Sequence, residues 1–335
     1  MGFSLGMVGA IGHPGLVLGE LHQYPQVRLV GVAPSYEGED VARFESLGAT
    51  VYPSWGSLLA ADAPDILVVC ARHDQTATIA IAGAQAGCHL ISEKPAAQSL
   101  DQLAILSTLV ADRNLLYASI LPTRYGPAFF TAHQLVRQGL IGEPYLITAQ
   151  KSYRWGQRPD WYARRAWYGS TINWVGIHAF DYARWVSGRD YVTVEAKHTN
   201  CCHSERIGCQ DIATVQTGLD NGGLALFSID YLRPDGATSH GDDRLRIAGQ
   251  RGVVEVVDRG TRLHVIDRDR DVPDWPLVHP ERTLFSDFMA ALTGQGELLA
   301  PAEDAFAVTR FAILATESAD TGRQVKVPSS SLQKE

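Results

Sequence analysis

The sequence predicts an α/β domain on a doubly wound parallel sheet, followed by an α+β domain with a largely antiparallel open sheet. Three observations predict this. Between Ser4 and Leu121, short apolar runs alternate with helix-period segments, the pattern of parallel strands joined by crossover helices. Beyond Val192, period-two runs dominate, as half-buried antiparallel strands require. The length, 335 residues, suits two domains better than one. The boundary is placed after Leu121, giving an α/β domain over 1–121 and an α+β domain over 122–335.

In chain order, Ser4 to Val8 is an apolar strand. Gly9-Ala10-Ile11-Gly12-His13-Pro14-Gly15 follows, then a helix from about Pro14 to Gln23. Strand, glycine turn and helix together make the setting of a dinucleotide fingerprint. Glycines let the backbone approach a pyrophosphate, and a helix N-terminus offers N–H groups to it. The spacing here is Gly9-x-x-Gly12-x-x-Gly15 rather than G-x-G-x-x-G, so a tight β–α turn without a ligand is the plainer alternative. Val27 to Ala33 is the second strand. An acid at its end would bind the ribose hydroxyls of NAD. Ala33-Pro34-Ser35-Tyr36 stands there instead, with no acid before Glu37 and no Arg at once to attract the extra phosphate of NADP. NAD and NADP both stay open.

Alternation continues with a helix over Asp40 to Leu47, a strand over Thr50 to Tyr52, a helical turn over Trp55 to Ala61 and a buried strand over Ile66 to Cys70. Next come a helix over Gln75 to Ala86 closed by Gly87, a strand over His89 to Ser92, a helix over Asp101 to Asp112 and a sixth strand over Leu115 to Leu121. In an open α/β sheet, ligands sit beyond the carboxyl ends of the strands. The cofactor-binding candidates are therefore Gly9, Ala10, Ile11 and Gly12 in the turn, Pro34 and Ser35 after the second strand, Cys70, Ala71, Arg72 and His73 after the fourth, and Glu93 and Lys94 after the fifth.

Beyond Leu121, Pro127 to Gln138 reads as a helix and Tyr145 to Ser152 as a strand. The segment from Tyr153 to Gly169 has no periodicity and is rich in aromatics and arginines, among them Trp155, Trp161, Arg158 and Arg164. Long irregular loops are more often functional than filler, and aromatic faces with guanidinium groups suit a polar or ring-shaped ligand. Packing of those rings on the chain's own core or on a partner subunit is the competing reading. Thr171 to Val186 is a helix capped by Ser170 or Thr171, with Trp174, His178, Asp181 and Trp185 on one face. A His on such a face is commonly a satisfied core residue. Strands follow over Val192 to Thr199, Ile212 to Leu219, Leu224 to Tyr231, Arg244 to Ala248, Val253 to Val257 and Arg262 to Ile266, with Asn221-Gly222 as a hairpin turn. Helices over Glu281 to Thr293 and Ala302 to Thr321 end at Gly294 and Gly322, and the tail from Ser329 to Glu335 is expected to fray.

Composition narrows the function. A net charge of −8 without a basic block argues against nucleic acid. No apolar run reaches the roughly 18–20 residues of a membrane span. The first residues carry no charged region of the signal-peptide type, and Gly6 stands where a myristoylation motif wants Ser or Thr. Five cysteines, an odd number, point to reduced thiols and a cytoplasmic protein. Cys201-Cys202-His203 with Cys209 lacks the C-x2–4-C spacing of zinc sites, so no metal is expected.

Three motifs resemble the Gfo/Idh/MocA oxidoreductases along nearly the whole chain. Ala86-Gly87-Cys88-His89-Leu90-Ile91-Ser92-Glu93-Lys94-Pro95 is similar to that family's A-G-x-H-V-x-x-E-K-P. Gly139-Leu140-Ile141-Gly142-Glu143-Pro144 is similar to its G-x-I/L-G-x-P. Gly176-Ile177-His178-Ala179-Phe180-Asp181, with Trp185 and Gly188, resembles its G-x-H-x-x-D-x-x-x-W-x-x-G. The resemblance implies a Rossmann domain holding NAD or NADP, and hydride transfer to or from a sugar, cyclitol or related polyhydroxylated alcohol or ketone. It implies Lys94 near the reacting oxygen, His178 as the proton acceptor or donor, Glu93 holding Lys94 or touching the ribose, a cis Lys94–Pro95 bond, and sheet-to-sheet dimers or tetramers. A His can take the hydroxyl proton near neutral pH, and a Lys cation can stabilise alkoxide charge. Arg124, Tyr153, Trp155, Trp161, Trp174 and His178 are the substrate-binding candidates. One departure matters: the family often has Asp four residues before the His, and Trp174 stands there, with Asn173 about 100° away around an α-helix. This leaves two other readings open, an NAD-dependent lyase or glycosidase working by transient oxidation, and a non-enzymatic cofactor or sugar sensor.

Overall fold

A computed structural model describes residues 2–61, 63–206 and 208–328; the tail expected to fray lies outside them. The chain forms two compact units, Met1–Ile120 with Arg282–Thr309, and Leu121–Glu281 with Arg310–Glu335. A single cut after Leu121 could not express the return of 282–309 to the first unit.

The first unit is a six-stranded parallel sheet. Its elements are β1 (Phe3–Val8), α1 (Gly15–Leu18), β2 (Val27–Ala33), β3 (Thr50–Val51), α2 (Trp55–Ala61), β4 (Ile66–Val69), α3 (His73–Ala86), β5 (His89–Ser92), α4 (Leu100–Asp112) and β6 (Tyr117–Ser119). The order β3-β2-β1-β4-β5-β6 reverses direction between β1 and β4, and this switch point opens the crevice where such sheets bind ligands. β4 is buried from end to end, as a central parallel strand covered on both faces must be. Two expected helices are corrected. The one over Pro14 to Gln23 is the single turn α1 and a separate 3-10 turn at Leu21–Gln23, because Gly19 ends α1 after one turn. The one over Asp40 to Leu47 is a 3-10 run at Ala42–Leu47, stopped by Gly48 at φ +81°. α3 ends where expected, at Gly87 in the left-handed region, and the Ser99 hydroxyl caps α4 by accepting the Gln102 N–H.

The second unit is a nine-stranded mixed sheet with helices on one face. Its elements are α5 (Pro127–Arg137), β7 (Pro144–Arg154), α6 (Arg165–Tyr168), α7 (Ile177–Ser187), β8 (Tyr191–Thr199), β9 (Ile212–Leu219), β10 (Leu224–Arg233), β11 (Gly241–Gly249), β12 (Val253–Val257), β13 (Arg262–Ile266) and β14 (Asp271–Val272). The order is β14-β13-β12-β11-β7-β10-β9-β8-β15, where β15 is Val325–Lys326. Among the described residues of this sheet, only β7 and β10 pair in parallel. Ala225, Phe227, Ile229 and Tyr231 face the helices, while Leu224 and Leu226 face outward. The helix expected over Thr171 to Val186 begins as a π-helical turn at Ile172–Gly176 before α7. That turn takes Trp174 out of the i, i+4 register with His178 that the sequence suggested. The chain then returns to the first unit with α8 (Leu284–Leu292), whose Thr283 and Ser286 form a reciprocal cap, and with the start of α9 (Ala302–Thr321), whose residues from Arg310 on belong to the second unit. Phe285 packs edge-on against Tyr24, and Phe306 against Tyr117, which seats this returning segment on its unit.

Candidate functional site

In the first unit, the glycine turn is shaped by carboxylates and carbonyls. Gly9 and Gly12 have φ of +81° and +77°, strained for any residue with a side chain. A Cβ on Gly9 would stand 2.3 Å from the Cys70 carbonyl oxygen, and one on Gly12 would stand 2.1 Å from Glu93 Oε1. The Cys70 carbonyl accepts the Ile11 N–H at 2.9 Å. Cys70 therefore works through its backbone. Its buried thiol is pushed well up by desolvation, and further by the charges of Glu93 and Glu39. Glu93 Oε1 accepts the His13 N–H at 2.7 Å and lies 2.7 Å from His13 Nδ1, while Oε2 accepts the Lys94 N–H at 3.3 Å. Glu93 thus ties the end of β5 to the turn after β1. Lys94 is buried, and its bond to Pro95 is cis.

Glu39 is the residue that sequence reasoning missed. Its Oε1 accepts the Ala10 N–H at 2.8 Å, and its Oε2 accepts the Ser35 N–H and hydroxyl, each at 2.6 Å. The acid absent from the end of β2 is supplied six residues after Ala33 by a segment that folds back. Ser35 is buried, and its hydroxyl oxygen accepts the Arg72 N–H at 3.1 Å. The Arg72 guanidinium chelates Asp74 at 2.6 and 2.9 Å and lies over the Tyr36 ring. Ala71 and His73 are buried at the β4–α3 junction, while Pro34 is half-buried.

In the second unit, α7 carries buried His178, Asp181 and Tyr182. Arg124 and Asp181 form a fork, Nε to both carboxylate oxygens at 3.1 Å and Nη2 to Oδ1 at 2.5 Å, with both side chains 1% exposed. Arg124, a substrate-binding candidate, is thus committed to Asp181. Asn173 Oδ1 accepts the Thr316 hydroxyl, so it is anchored to α9. The aromatic segment is not the irregular loop expected: it contains α6 and a 3-10 turn at Asp160–Ala163. Trp161 is buried against Tyr162, which packs on Tyr168, so this part follows the core-packing reading. Trp155 and Tyr153 are half-buried and converge on Tyr231, Trp155 edge-on at 4.9 Å and Tyr153 at 6.3 Å. Trp174 is buried. Behind them Lys151 donates to Asp243 Oδ2 at 2.7 Å and lies under the Tyr153 ring. Burial alone would lower the Lys151 pKa; the Tyr153 phenol and the Asp243 carboxylate outweigh it and raise the pKa, so the ammonium stays charged. The Asp211 carboxylate collects the N–H groups of Cys201, Cys202 and His203. Among the described residues, no group of three His, Cys, Asp or Glu side chains is placed to hold a metal ion.

The profile described as "Oxidoreductase family, NAD-binding Rossmann fold" matches residues 3–120, and the "GFO/IDH/MocA C-terminal domain" matches 129–255. A solved structure described as an oxidoreductase from Thermotoga maritima is 34% identical, with a TM-score of 0.91, over 97% of this chain and 100% of that one. The chain belongs to the Gfo/Idh/MocA oxidoreductase family. Levoglucosan dehydrogenase of Pseudarthrobacter phenanthrenivorans is 29% identical over 46% of this chain and 40% of its own length. The rhizopine catabolism protein MocA of Rhizobium meliloti is 25% identical over 70% and 73%. The matched stretch thus spans between two fifths and three quarters of these two relatives.

A Gfo/Idh/MocA chain needs a dinucleotide cradle, and the first unit has the parts. Its glycine turn admits no Cβ at Gly9 or Gly12, and a carboxylate and a buried hydroxyl meet at the end of β2. Those residues fit the dinucleotide half of an NAD-type cofactor. Lys151, Asp243 and the Arg124–Asp181 pairing carry no short sequence signal. Their partners lie 92 and 57 residues away, and only the sheet register reveals them.

Proposed function

We propose that this chain is an NAD(P)-dependent dehydrogenase or reductase acting on CH–OH groups of a sugar, cyclitol or related polyol. The observation that carries this reading is the buried Glu93–Lys94 corner, locked by the Glu93 carboxylate to the glycine turn. The names of similar proteins, levoglucosan dehydrogenase and myo-inositol dehydrogenase of Streptomyces leeuwenhoekii, support the substrate class. Gly9, Ala10, Ile11, Gly12, Ser35, Glu39 and Glu93 would hold the cofactor. When bound, its nicotinamide supplies the hydride acceptor or donor. The His178 imidazole takes the substrate hydroxyl proton, and the Lys94 ammonium stabilises charge developing on that oxygen. A small-molecule substrate, a cytoplasmic location and a homodimer or homotetramer belong to the same reading.

Trp174 in place of a carboxylate favours one second reading, a lyase or glycosidase in which transient oxidation acidifies a neighbouring C–H. The two differ in net redox change. The test is absorbance at the reduced-nicotinamide band with NAD and NADP against levoglucosan, myo-inositol and methyl glucosides. Dehydrogenase activity is expected, with Lys94→Ala and His178→Ala each reducing turnover by about 10²–10⁴-fold. Product formation without net absorbance change would replace this reading with the second. Full turnover in the double variant would remove both assignments.

A further inference from the structure

The Lys151–Asp243 pair lies outside the roles assigned above, and the packing of the second unit places it beside His178. Phe180 of α7 packs on Phe227 of β10, a side chain on Gly176 would meet Ile229, and the Tyr168 hydroxyl meets that of Tyr231. Going back along the helix therefore means going forward along β10 and its parallel neighbour β7. Tyr182 reaches the β7–β11 seam, donating to the Gln150 carbonyl at 2.6 Å. His178 stands one α-helical turn before Tyr182 on the same flank. It therefore lies over the next inward-facing positions of that seam, Lys151 and Tyr153 of β7 with Asp243, the β11 residue in register with Lys151. Lys151 shares the inner face with buried Ile147 and Ala149.

This pair is an unusual lining for a helix-covered sheet. Lys151 is buried, yet its partner uses one oxygen only. Asp243 Oδ1 is buried and has no hydrogen-bond partner among the described residues. A buried carboxylate oxygen without a donor is costly, and such an oxygen in a native structure calls for a missing donor. An ammonium carries three donors and no acceptor, whereas a carboxylate carries acceptors only. Side by side, they match a pair of adjacent hydroxyls, one donating and one accepting.

We propose that Lys151 and Asp243 form a substrate-binding wall that grips a vicinal diol of a neutral polyol next to the carbon served by His178. One hydroxyl donates to Asp243 Oδ1, and its neighbour accepts from Lys151 Nζ. A carboxylate in place of the donating hydroxyl would have no proton to give Asp243 Oδ1 and would meet its charge, so a neutral diol is the better fit to this wall. This rests on the dehydrogenase reading and sharpens its substrate class.

The experiment is steady-state kinetics of the full-length protein with saturating NAD or NADP on levoglucosan, myo-inositol, methyl β-D-glucoside and glucuronate. Wild type, Asp243→Asn and Lys151→Met are compared, with NADH affinity and melting temperature as controls. The expected result is a rise in KM for the best neutral substrate of at least about tenfold in both variants, with NADH affinity unchanged. Monodeoxy and mono-O-methyl analogues of that substrate test the same wall without mutation. Wild type is expected to lose about tenfold or more with one adjacent pair of analogues. Unchanged KM in folded variants, tolerance of every analogue, or a preference for glucuronate overturns this proposal alone. A wild type inactive on the whole panel overturns the dehydrogenase reading and this proposal with it.

Discussion

Glu39 decides more at the residue scale than any residue the motifs picked out. Its carboxylate sits on the Ala10 and Ser35 N–H groups, where a second negative charge would be repelled. NAD is therefore expected to bind more tightly than NADP, and Glu39→Gln is expected to narrow the gap by about tenfold, about 1.4 kcal/mol. Fluorescence titration with NADH and NADPH reads this directly; equal affinities in wild type would end the argument. Gly12→Ala makes the complementary prediction. Its Cβ would press on Glu93 Oε1, which must then leave the His13 N–H. Dinucleotide affinity is expected to fall while the sheet stays folded, as circular dichroism would report. Glu93, Lys94 and Pro95 were legible because they are contiguous and follow a strand. Glu39 was not, because its role depends on a backbone that turns back across 29 residues to Ala10.

Secondary elements were legible where one period ran unbroken, and illegible where the backbone changed register. β2, β5, β9, β12 and β13 fall on the expected residues, since apolar runs bounded by turns leave little choice. The π-helical turn before α7 has no such signature, and it removes the α-helical spacing by which Asn173 was set about 100° from Trp174, while Trp174 still stands four residues before His178 in sequence. The Arg124–Asp181 fork pins the segment ahead of α5 to α7 in a buried setting. Removing one partner leaves an uncompensated charge, so Asp181→Ala is expected to cost about 3–5 kcal/mol in urea denaturation. Replacing both by apolar residues of similar size is expected to recover most of that; a single variant as stable as wild type would refute the account. At the other sheet, His89 Nδ1 accepts the Leu116 N–H at 2.9 Å, fastening β5 to the approach of β6. Burial lowers the His89 pKa below its ordinary 6.5, against the pull of Asp65. The unfolded chain then binds the proton more readily, so this contribution is complete above about pH 6.5 and declines as pH falls toward the folded pKa. Denaturation midpoints compared between pH 7 and 5 should fall less in His89→Asn than in wild type; equal slopes would contradict it.

At the scale of the molecule, alternation over the first 121 residues and period-two runs beyond Val192 made both sheets legible. Three pairings were not: the parallel contact of β7 with β10, the short β14, and the late strand β15 on β8. Each joins segments far apart in sequence, or is too short to show a period. The same topology argues for self-association through a sheet face. The edges of the nine-stranded sheet are β14 and β15, two residues each, which blunts edge-to-edge pairing. The face away from the helices is the exposed alternative. Leu224 and Leu146 stand side by side in register there, 51% and 39% exposed, with Leu226 at 45% on the next outward position. Glu195, Lys197 and Gln216 line a neighbouring hollow of about 430 Å³ on the same face. Apolar residues framed by both signs of charge suit a two-fold contact in which one copy's Lys197 meets the other's Glu195. The chain is expected to be a dimer or tetramer at micromolar concentration by light scattering. Leu224→Asp with Leu226→Asp is expected to leave a monomer that still binds NADH, since both residues lie on the sheet of the second unit and the nucleotide residues on the first. A monomeric wild type, or a double variant that stays assembled, would remove this face from consideration.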